Sequence, residues 1–196
     1  MISPIFYWLL WGMWVTAAFL MKKSRLRSQL IFSLLILISL AGYFINIYTF
    51  KVNIVWMALI IWGYSFYIRL PFFNGLKLMF SNLTITVCYV LIRIYWLMDP
   101  AIFLVIDQWV FSLCLTGLLM AIVNSTKLRL STAVLGICQG DLLYSLIFYP
   151  YENALGDSDC FSTLAVSLFV IISWTYLRNL TEKAQTSLIK QFNHRL

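Results

Sequence analysis

Charged residues are scarce in this chain. They make up 11% of its 196 residues, whereas hydrophobic residues make up 62% and aromatic residues 17%. A soluble domain is nearer a quarter charged and half apolar. A globular fold of this length could not hide so much apolar surface from water, so the composition predicts a protein surrounded by lipid.

The chain also has a single histidine and no closely spaced cysteines. The one histidine, His194, lies in the C-terminal tail, which excludes imidazole-based catalysis or metal binding within the membrane. No Cys-x-x-Cys pair occurs, so neither a disulfide framework nor a zinc site is indicated. The cysteines lie in or beside apolar runs, where we expect buried free thiols; they are Cys88, Cys114, Cys138 and Cys160.

Enzyme signatures are absent as well. The chain contains no His-Glu-x-x-His, no Gly-x-Ser-x-Gly and no Walker loop. We therefore predict a protein that is not an enzyme and that holds neither a metal nor a cofactor. A net charge of +7 would suggest a nucleic-acid partner in a soluble protein, but here the positive residues lie in loops between apolar runs. We expect no nucleic-acid partner.

Seven apolar runs divide the chain, and each is near the roughly 20 residues that a helix needs to cross a bilayer. They cover about 2–21, 29–48, 52–68, 76–98, 101–123, 131–149 and 160–177. The predicted fold class is all-α, a polytopic membrane protein with a bundle of seven transmembrane helices. The alternative is six crossings, if the second and third runs form something less regular.

The connectors predict the orientation of these helices. If the basic connector after the first run is cytoplasmic, twelve Lys and Arg residues fall inside and only Lys51 lies in an outer loop. The N-terminus is then outside and the C-terminus cytoplasmic. The tail 179–196 repeats apolar residues every four positions, from Leu180 to Phe192. It is either a short amphipathic helix on the inner leaflet or a solvated tail.

Three ionisable residues within the runs fall at nearly the same predicted depth. Arg93 lies roughly 9 Å before a turn at Asp99-Pro100, and Asp107 roughly 12 Å beyond it, at about 1.5 Å per helical residue. Asp141 lies roughly 12 Å from the outer end of the sixth run by the same count. The sequence therefore predicts a polar cluster in the outer half of the membrane, with Gln108 and Gln139 beside it.

This cluster has two open interpretations. Charged groups inside a membrane usually face the bundle and find partners, and the guanidinium fork of Arg93 can satisfy one carboxylate. The second carboxyl is then either neutral and structural, or a group that exchanges protons or binds a ligand from outside. Asp157 and Asp159, in the next outer connector, are expected to lie in an exposed acidic loop.

Gly136 and Gly140 form a small-x-x-x-small pattern in the sixth run. Such a face lets the backbone of another helix approach closely, because no side chain stands between them. We expect these glycines to lie at a helix–helix contact.

The opening Tyr7-Trp8-Leu-Leu-Trp11-Gly-Met-Trp14-Val is followed by a dense basic connector. Together with the length and the seven runs, this pattern resembles the YphA family of integral membrane proteins from Bacillus and relatives. The resemblance implies a bacterial cytoplasmic membrane, and it brings no assigned activity and no site residues.

The leading functional hypothesis is a non-enzymatic accessory or partner-binding component of the membrane. Its partner, beyond the lipid bilayer, would be another membrane protein or a second copy of the chain. The alternative is a proton-coupled small-molecule carrier or a ligand sensor that uses Arg93, Asp107 and Asp141 near an outward pocket.

Overall fold

A computed structural model describes residues 4–19, 23, 25–68, 70–98, 108–151 and 153–193. The described chain forms seven α-helices: α1 (Pro4–Phe19), α2 (Arg25–Leu40), α3 (Ile54–Tyr67), α4 (Phe72–Met98), α5 (Gln108–Ile122), α6 (Thr126–Ile147) and α7 (Ser158–Asn193). Three short strands complete it: β1 (Phe44–Ile47), β2 (Phe50–Asn53) and β3 (Ala154–Leu155). The prediction of a mostly helical chain is confirmed.

Three of the helices are long and apolar enough to cross a membrane. These stretches are Phe73–Met98, Thr126–Ile147 and Ser158–Arg178. Four shorter apolar helices accompany them: Pro4–Phe19, Arg27–Leu40, Ile54–Tyr67 and Trp109–Ile122. Apolar helices of this kind satisfy their backbone hydrogen bonds internally, as a segment in lipid must.

The strands mark one end of the bundle, which we call the sheet end. β1 and β2 connect α2 to α3, and β3 lies in the connection from α6 to α7. The Phe6 ring, near the start of α1, stacks on the Phe161 ring near the start of α7, with centroids 4.5 Å apart. Successive helices therefore run alternately away from the sheet end and back to it.

The sixth helix occupies the centre of the bundle. It packs against α3, α4, α5 and α7, and most of its side chains are buried. Its closest neighbour is α4, which approaches the glycine face. A Cβ added to Gly136 would lie 2.6 Å from Ile85 Cγ2, and one added to Gly140 would lie 2.6 Å from Tyr89 Cδ1. The two glycines leave the room that α4 occupies.

The sheet corrects the all-α prediction and the predicted end of the second run. α2 ends at Leu40, not at Tyr48, and the chain then forms an antiparallel β1–β2 hairpin. Phe44, Ile45 and Ile47 are residue types that favour strands. Tyr48 sits in the turn with a φ of 58°. An apolar run does not by itself distinguish a helix from a strand.

The β2 strand of the hairpin contacts two other parts of the chain, β3 and the segment that follows α2. β3 pairs with β2 in parallel, with Lys51 opposite Ala154 and Val52 opposite Leu155. Asn53 is buried; its side chain accepts a hydrogen bond from Val55 N at 2.8 Å and donates to Ala41 O at 2.9 Å. This one residue caps the start of α3 and fastens the end of the α2 segment.

The last helix continues through the predicted tail without a break. α7 runs 36 residues to Asn193, so the stretch from 179 onward prolongs it instead of forming a separate helix. At 1.5 Å per residue α7 is roughly 54 Å long, well beyond the ~30 Å of a hydrocarbon core. Its C-terminal part therefore extends past the other helices, and residues 194–196 lie outside the described chain.

Candidate functional site

Arg93 is the centre of a buried charged cluster at the sheet end. It lies on α4, close to where that helix ends, and its side chain is 8% exposed. Its Nη1 donates to Asp141 Oδ1 at 2.8 Å, and its Nη2 donates to Asp157 Oδ2 at 2.7 Å. Asp159 Oδ2 lies further away, at 3.4 Å from Nη2. The planar guanidinium thus joins α4, α6 and the start of α7.

Asp141 is enclosed on every side that the structure describes. Its side chain is 0% exposed, and its second oxygen, Oδ2, accepts a hydrogen bond from Gly156 N at 2.8 Å. Gly156 has a φ of +73°, a conformation that L side chains rarely adopt. A Cβ there would lie 2.8 Å from Trp56 Cβ and 2.9 Å from Asn53 Cβ. Only glycine lets this backbone lie over the carboxylate.

Asp157 has two roles, one in the cluster and one in the helix that follows it. Its Oδ1 accepts a hydrogen bond from Cys160 N at 2.8 Å, while its Oδ2 pairs with Arg93. This is the geometry of an N-cap, in which a side-chain oxygen satisfies a free N–H of the first helical turn. The start of α7 is therefore fixed by the same carboxylate that binds the guanidinium.

Two tyrosines complete the surroundings of the guanidinium. The Arg93 Cζ lies 4.4 Å from the centroid of the Tyr144 ring, within the range of a cation–π interaction. Tyr89, one helical turn before Arg93, places its hydroxyl 3.4 Å from Nη1. These rings cover the guanidinium, so its ion pair with the buried Asp141 lies in a poorly screened setting.

Not every residue expected in the cluster belongs to it. Arg93 and Asp141 are in direct contact, but Asp107 lies outside the described residues, and nothing is described of the Gln108 side chain at the start of α5. Gln139 lies away from the guanidinium: its amide contacts Asn82 and the Tyr64 hydroxyl, on the side of α6 that faces α3 and α4.

The expectation of an exposed acidic loop is wrong for Asp157, whose side chain is 22% exposed and ion-paired with Arg93. The Asp159 side chain is 51% exposed, as expected. Sequence reasoning missed Asp157 because the loop folds back through β3 and Gly156, which depth counting along helices does not reveal. An Asp three residues before an apolar run's first buried residue, Cys160, was the available signal, since it suits an N-cap.

Comparisons with known proteins agree with the membrane architecture. The family model described as YphA-like integral membrane protein matches residues 3–195. The chain is 26% identical over 152 residues to the Bacillus subtilis (strain 168) protein named Uncharacterized protein YphA, which spans 76% of this chain and 74% of that protein. No solved structure matches the chain.

Proposed function

Because this chain belongs to the YphA-like family of integral membrane proteins, we propose that it is a non-enzymatic component of a bacterial cell membrane that acts by binding a partner. Its charged cluster then stabilises the fold and performs no reaction. The observation that carries this proposal is the closure of the cluster around Asp141, whose two oxygens are both bonded and whose side chain is fully buried.

We propose seven crossings, with the sheet end and the N-terminus outside. The support is the alternation of the seven helices between the two ends, together with the basic residues at the end opposite the sheet. That end carries Lys77, Lys127 and Arg178, whereas Lys51 is at the sheet end. Such a bias is the one that sets orientation in bacterial membranes.

A carrier that used this cluster would need a path from outside to Asp141. In the described part of the chain, Gly156 and the start of α7 lie over that carboxyl, and Tyr144 lies over the guanidinium. Because the Asp141 side chain is 0% exposed, a ligand from outside does not reach either of its oxygens in this structure. These contacts favour the structural role over the carrier.

The partner-binding surface that we propose is the free edge of β1. The sheet order is β1-β2-β3, so β1 pairs on one side only among the described residues. Lys51 N donates to Asn153 O at 2.8 Å, on the β3 side, and Lys51 is opposite Asn46. Asn46 and Lys51 therefore form a non-hydrogen-bonded pair, in which the N–H groups of the two residues point away from each other. Since the Lys51 N–H points towards β3, the Asn46 N–H points towards the free edge of β1.

The side chains at this edge favour another protein over lipid as the occupant. Phe44, Ile45 and Ile47 are exposed, and so are Tyr43 and Tyr48 at the two ends of the strand. Unpaired backbone N–H groups are too costly to desolvate in hydrocarbon. An extended strand of a partner protein satisfies both needs, because it pairs with the backbone and covers the apolar side chains.

The test is photo-crosslinking in cells with a photoreactive residue in place of Ile47. We expect an adduct with one defined protein, and we expect Asn46→Pro to reduce it at least about fivefold, because proline removes the N–H at the free edge. Asn46→Ala retains that N–H and is the matched control. A photoreactive residue at the exposed Phe73, at the opposite end, should not give the adduct.

Two results would contradict the proposal. One is an adduct that Asn46→Pro and Asn46→Ala reduce equally, which would mean that strand pairing is not involved. The other is crosslinking at Ile47 to lipid alone, which would assign the hairpin to the membrane interface. The unfolding temperature of each purified variant must match that of the unmodified chain.

A further inference from the structure

A second site lies on the other face of α6, away from the charged cluster. A pocket of about 530 Å³ opens between α3, α4 and α6. It extends from Leu70 and Gly75, where α3 connects to α4, to Asn82 and Gln139 further along the bundle. Apolar side chains such as Met79 and Leu83 form most of its wall. This is the volume and composition of a small-molecule site.

The polar groups of the pocket form a directed series of hydrogen bonds. Asn82 Nδ2 donates to Gln139 Oε1, and Gln139 Nε2 donates to the Tyr64 hydroxyl oxygen. Since that oxygen accepts from Gln139, its own proton remains to be donated. Among the described residues no acceptor is placed for it. The chain of hydrogen bonds therefore ends in a free O–H at the pocket.

The Asn82 carbonyl oxygen does not belong to this series of hydrogen bonds. The Asn82 side chain lines the pocket and is 6% exposed. Its Oδ1 has no hydrogen-bond partner among the described residues. This oxygen faces α6, because a Cβ added to Gly136 would lie 3.4 Å from it. It is an acceptor and does not bind a ligand carbonyl, which is also an acceptor, so the Tyr64 hydroxyl is the donor that the pocket offers.

We propose that this pocket binds a membrane-dissolved molecule with an apolar body and a carbonyl oxygen, and that the carbonyl accepts a hydrogen bond from the Tyr64 hydroxyl. The apolar wall takes the hydrocarbon part, which enters from lipid. Either a quinone or an acyl ester has this chemistry. The proposal is independent of the partner-binding function, because the pocket lies on another face and at the other end of the bundle from β1.

The experiment measures the unfolding temperature of the purified full chain in dodecyl maltoside as each probe is added. The probes are ubiquinone-1, methyl oleate and, as a hydrocarbon without a carbonyl, 1-octadecene. A ligand that binds only the folded state raises the unfolding temperature with its concentration, which gives the dissociation constant. We expect a quinone or an ester to bind and 1-octadecene to bind at least about fivefold more weakly.

Two variants and their controls locate the binding. Tyr64→Phe removes only the hydroxyl and should weaken binding about five- to tenfold, the effect of one hydrogen bond, whereas Tyr95→Phe on the exposed side of α4 should not. Gly75→Leu should weaken binding, because its side chain takes up part of the pocket. A Cβ at Gly75 meets nothing within 4 Å, and the same holds for Gly117 outside the pocket, so Gly117→Leu is its control.

The outcomes separate the sources and can overturn the proposal. Binding of ubiquinone-1 alone assigns a quinone, and binding of methyl oleate alone assigns an acyl ester. The proposal fails if no probe raises the unfolding temperature or if 1-octadecene binds as tightly as the carbonyl probes. It also fails if Tyr64→Phe binds like the unmodified chain or if Gly75→Leu binds like Gly117→Leu.

Discussion

At the scale of single residues, one guanidinium organises the sheet end of this protein. Arg93 pairs with Asp141 and Asp157, and both carboxylates also accept backbone N–H groups. A buried ion pair contributes little to stability, because both charges lose their hydration. It becomes favourable when further hydrogen bonds satisfy the remaining donors and acceptors of the two side chains. Here they are satisfied, so removing one member leaves the others buried and unpaired.

We therefore expect Arg93→Ala to lower the free energy of unfolding by about 3–5 kcal/mol, the range for breaking a buried pair from one side. Arg93→Lys should fall between that variant and the unmodified chain, since an ammonium cannot replace the planar fork. Denaturation in mixed micelles measures the change.

The matched control for this prediction is Arg178→Ala. Arg178 pairs with Glu182 at 2.9 Å, but both side chains are more than half exposed. Such a pair contributes only about 0.3–0.5 kcal/mol. Equal losses for Arg93→Ala and Arg178→Ala would show that burial of the cluster contributes nothing to stability.

Only some residues of the cluster could be predicted from the sequence. Depth counting brought Arg93 and Asp141 to one level because both lie on helices, where the rise per residue is nearly constant. It did not include Asp157, because that residue reaches Arg93 through a loop whose direction depends on Gly156. The placement of Asp107 stays a prediction.

At the scale of elements, the contact between α4 and α6 is the tightest helix pair around the centre. It is also reinforced by a polar bond, since Thr86 Oγ1 donates to Gly136 O at 3.2 Å. In lipid, helices associate through close packing and such hydrogen bonds, because the surrounding tails are as apolar as the side chains.

Substitution at the glycine face should therefore destabilise this pair. We expect Gly136→Ala to lower the free energy of unfolding by about 1–3 kcal/mol, the range for overpacking, because its Cβ would overlap Ile85. Gly117→Ala on α5 meets nothing within 4 Å and should be neutral or raise stability by up to about 1 kcal/mol.

The same denaturation assay separates the two glycine variants. If Gly136→Ala is as stable as Gly117→Ala, Ile85 moves aside freely and the close approach of α4 does not depend on the glycine. The pattern of small residues was readable from the sequence, but the partner helix was not, because any of the six other helices could have filled the space.

The sheet is the element that sequence reasoning placed wrongly. Residues 44–47 are apolar throughout apart from Asn46, so they prolong the preceding apolar run without a visible boundary. The decisive contacts are distant: β2 gains β3 from a connector about 100 positions later in the chain, and Asn53 binds Ala41 O across the hairpin. Pairing with a remote segment overrides local preference.

At the scale of the whole molecule, the two ends of the bundle should face opposite sides of the membrane. We expect Pro4→Cys and Tyr48→Cys to react with a membrane-impermeant maleimide in intact cells, since both positions are exposed at the sheet end. Gln185 is exposed in the last part of α7, and Gln185→Cys should react only after the cells are permeabilised.

The unmodified chain with its native cysteines is the background for this labelling. Reaction of Pro4→Cys and Gln185→Cys from the same side would require an even number of crossings and would overturn the seven-helix topology. Reaction of Tyr48→Cys only after permeabilisation would invert the orientation and place the hairpin in the cytoplasm.

The sequence alone determined that this protein lies in lipid, the approximate positions of its helices and the matching levels of Arg93 and Asp141. These depend on composition and on distances along single helices, which are local properties. Tertiary structure decided the hairpin, the closure of Gly156 over Asp141 and the chain of hydrogen bonds from Asn82 to Tyr64. Each of these joins residues that are distant in sequence, and their proximity follows from packing, which no local pattern specifies.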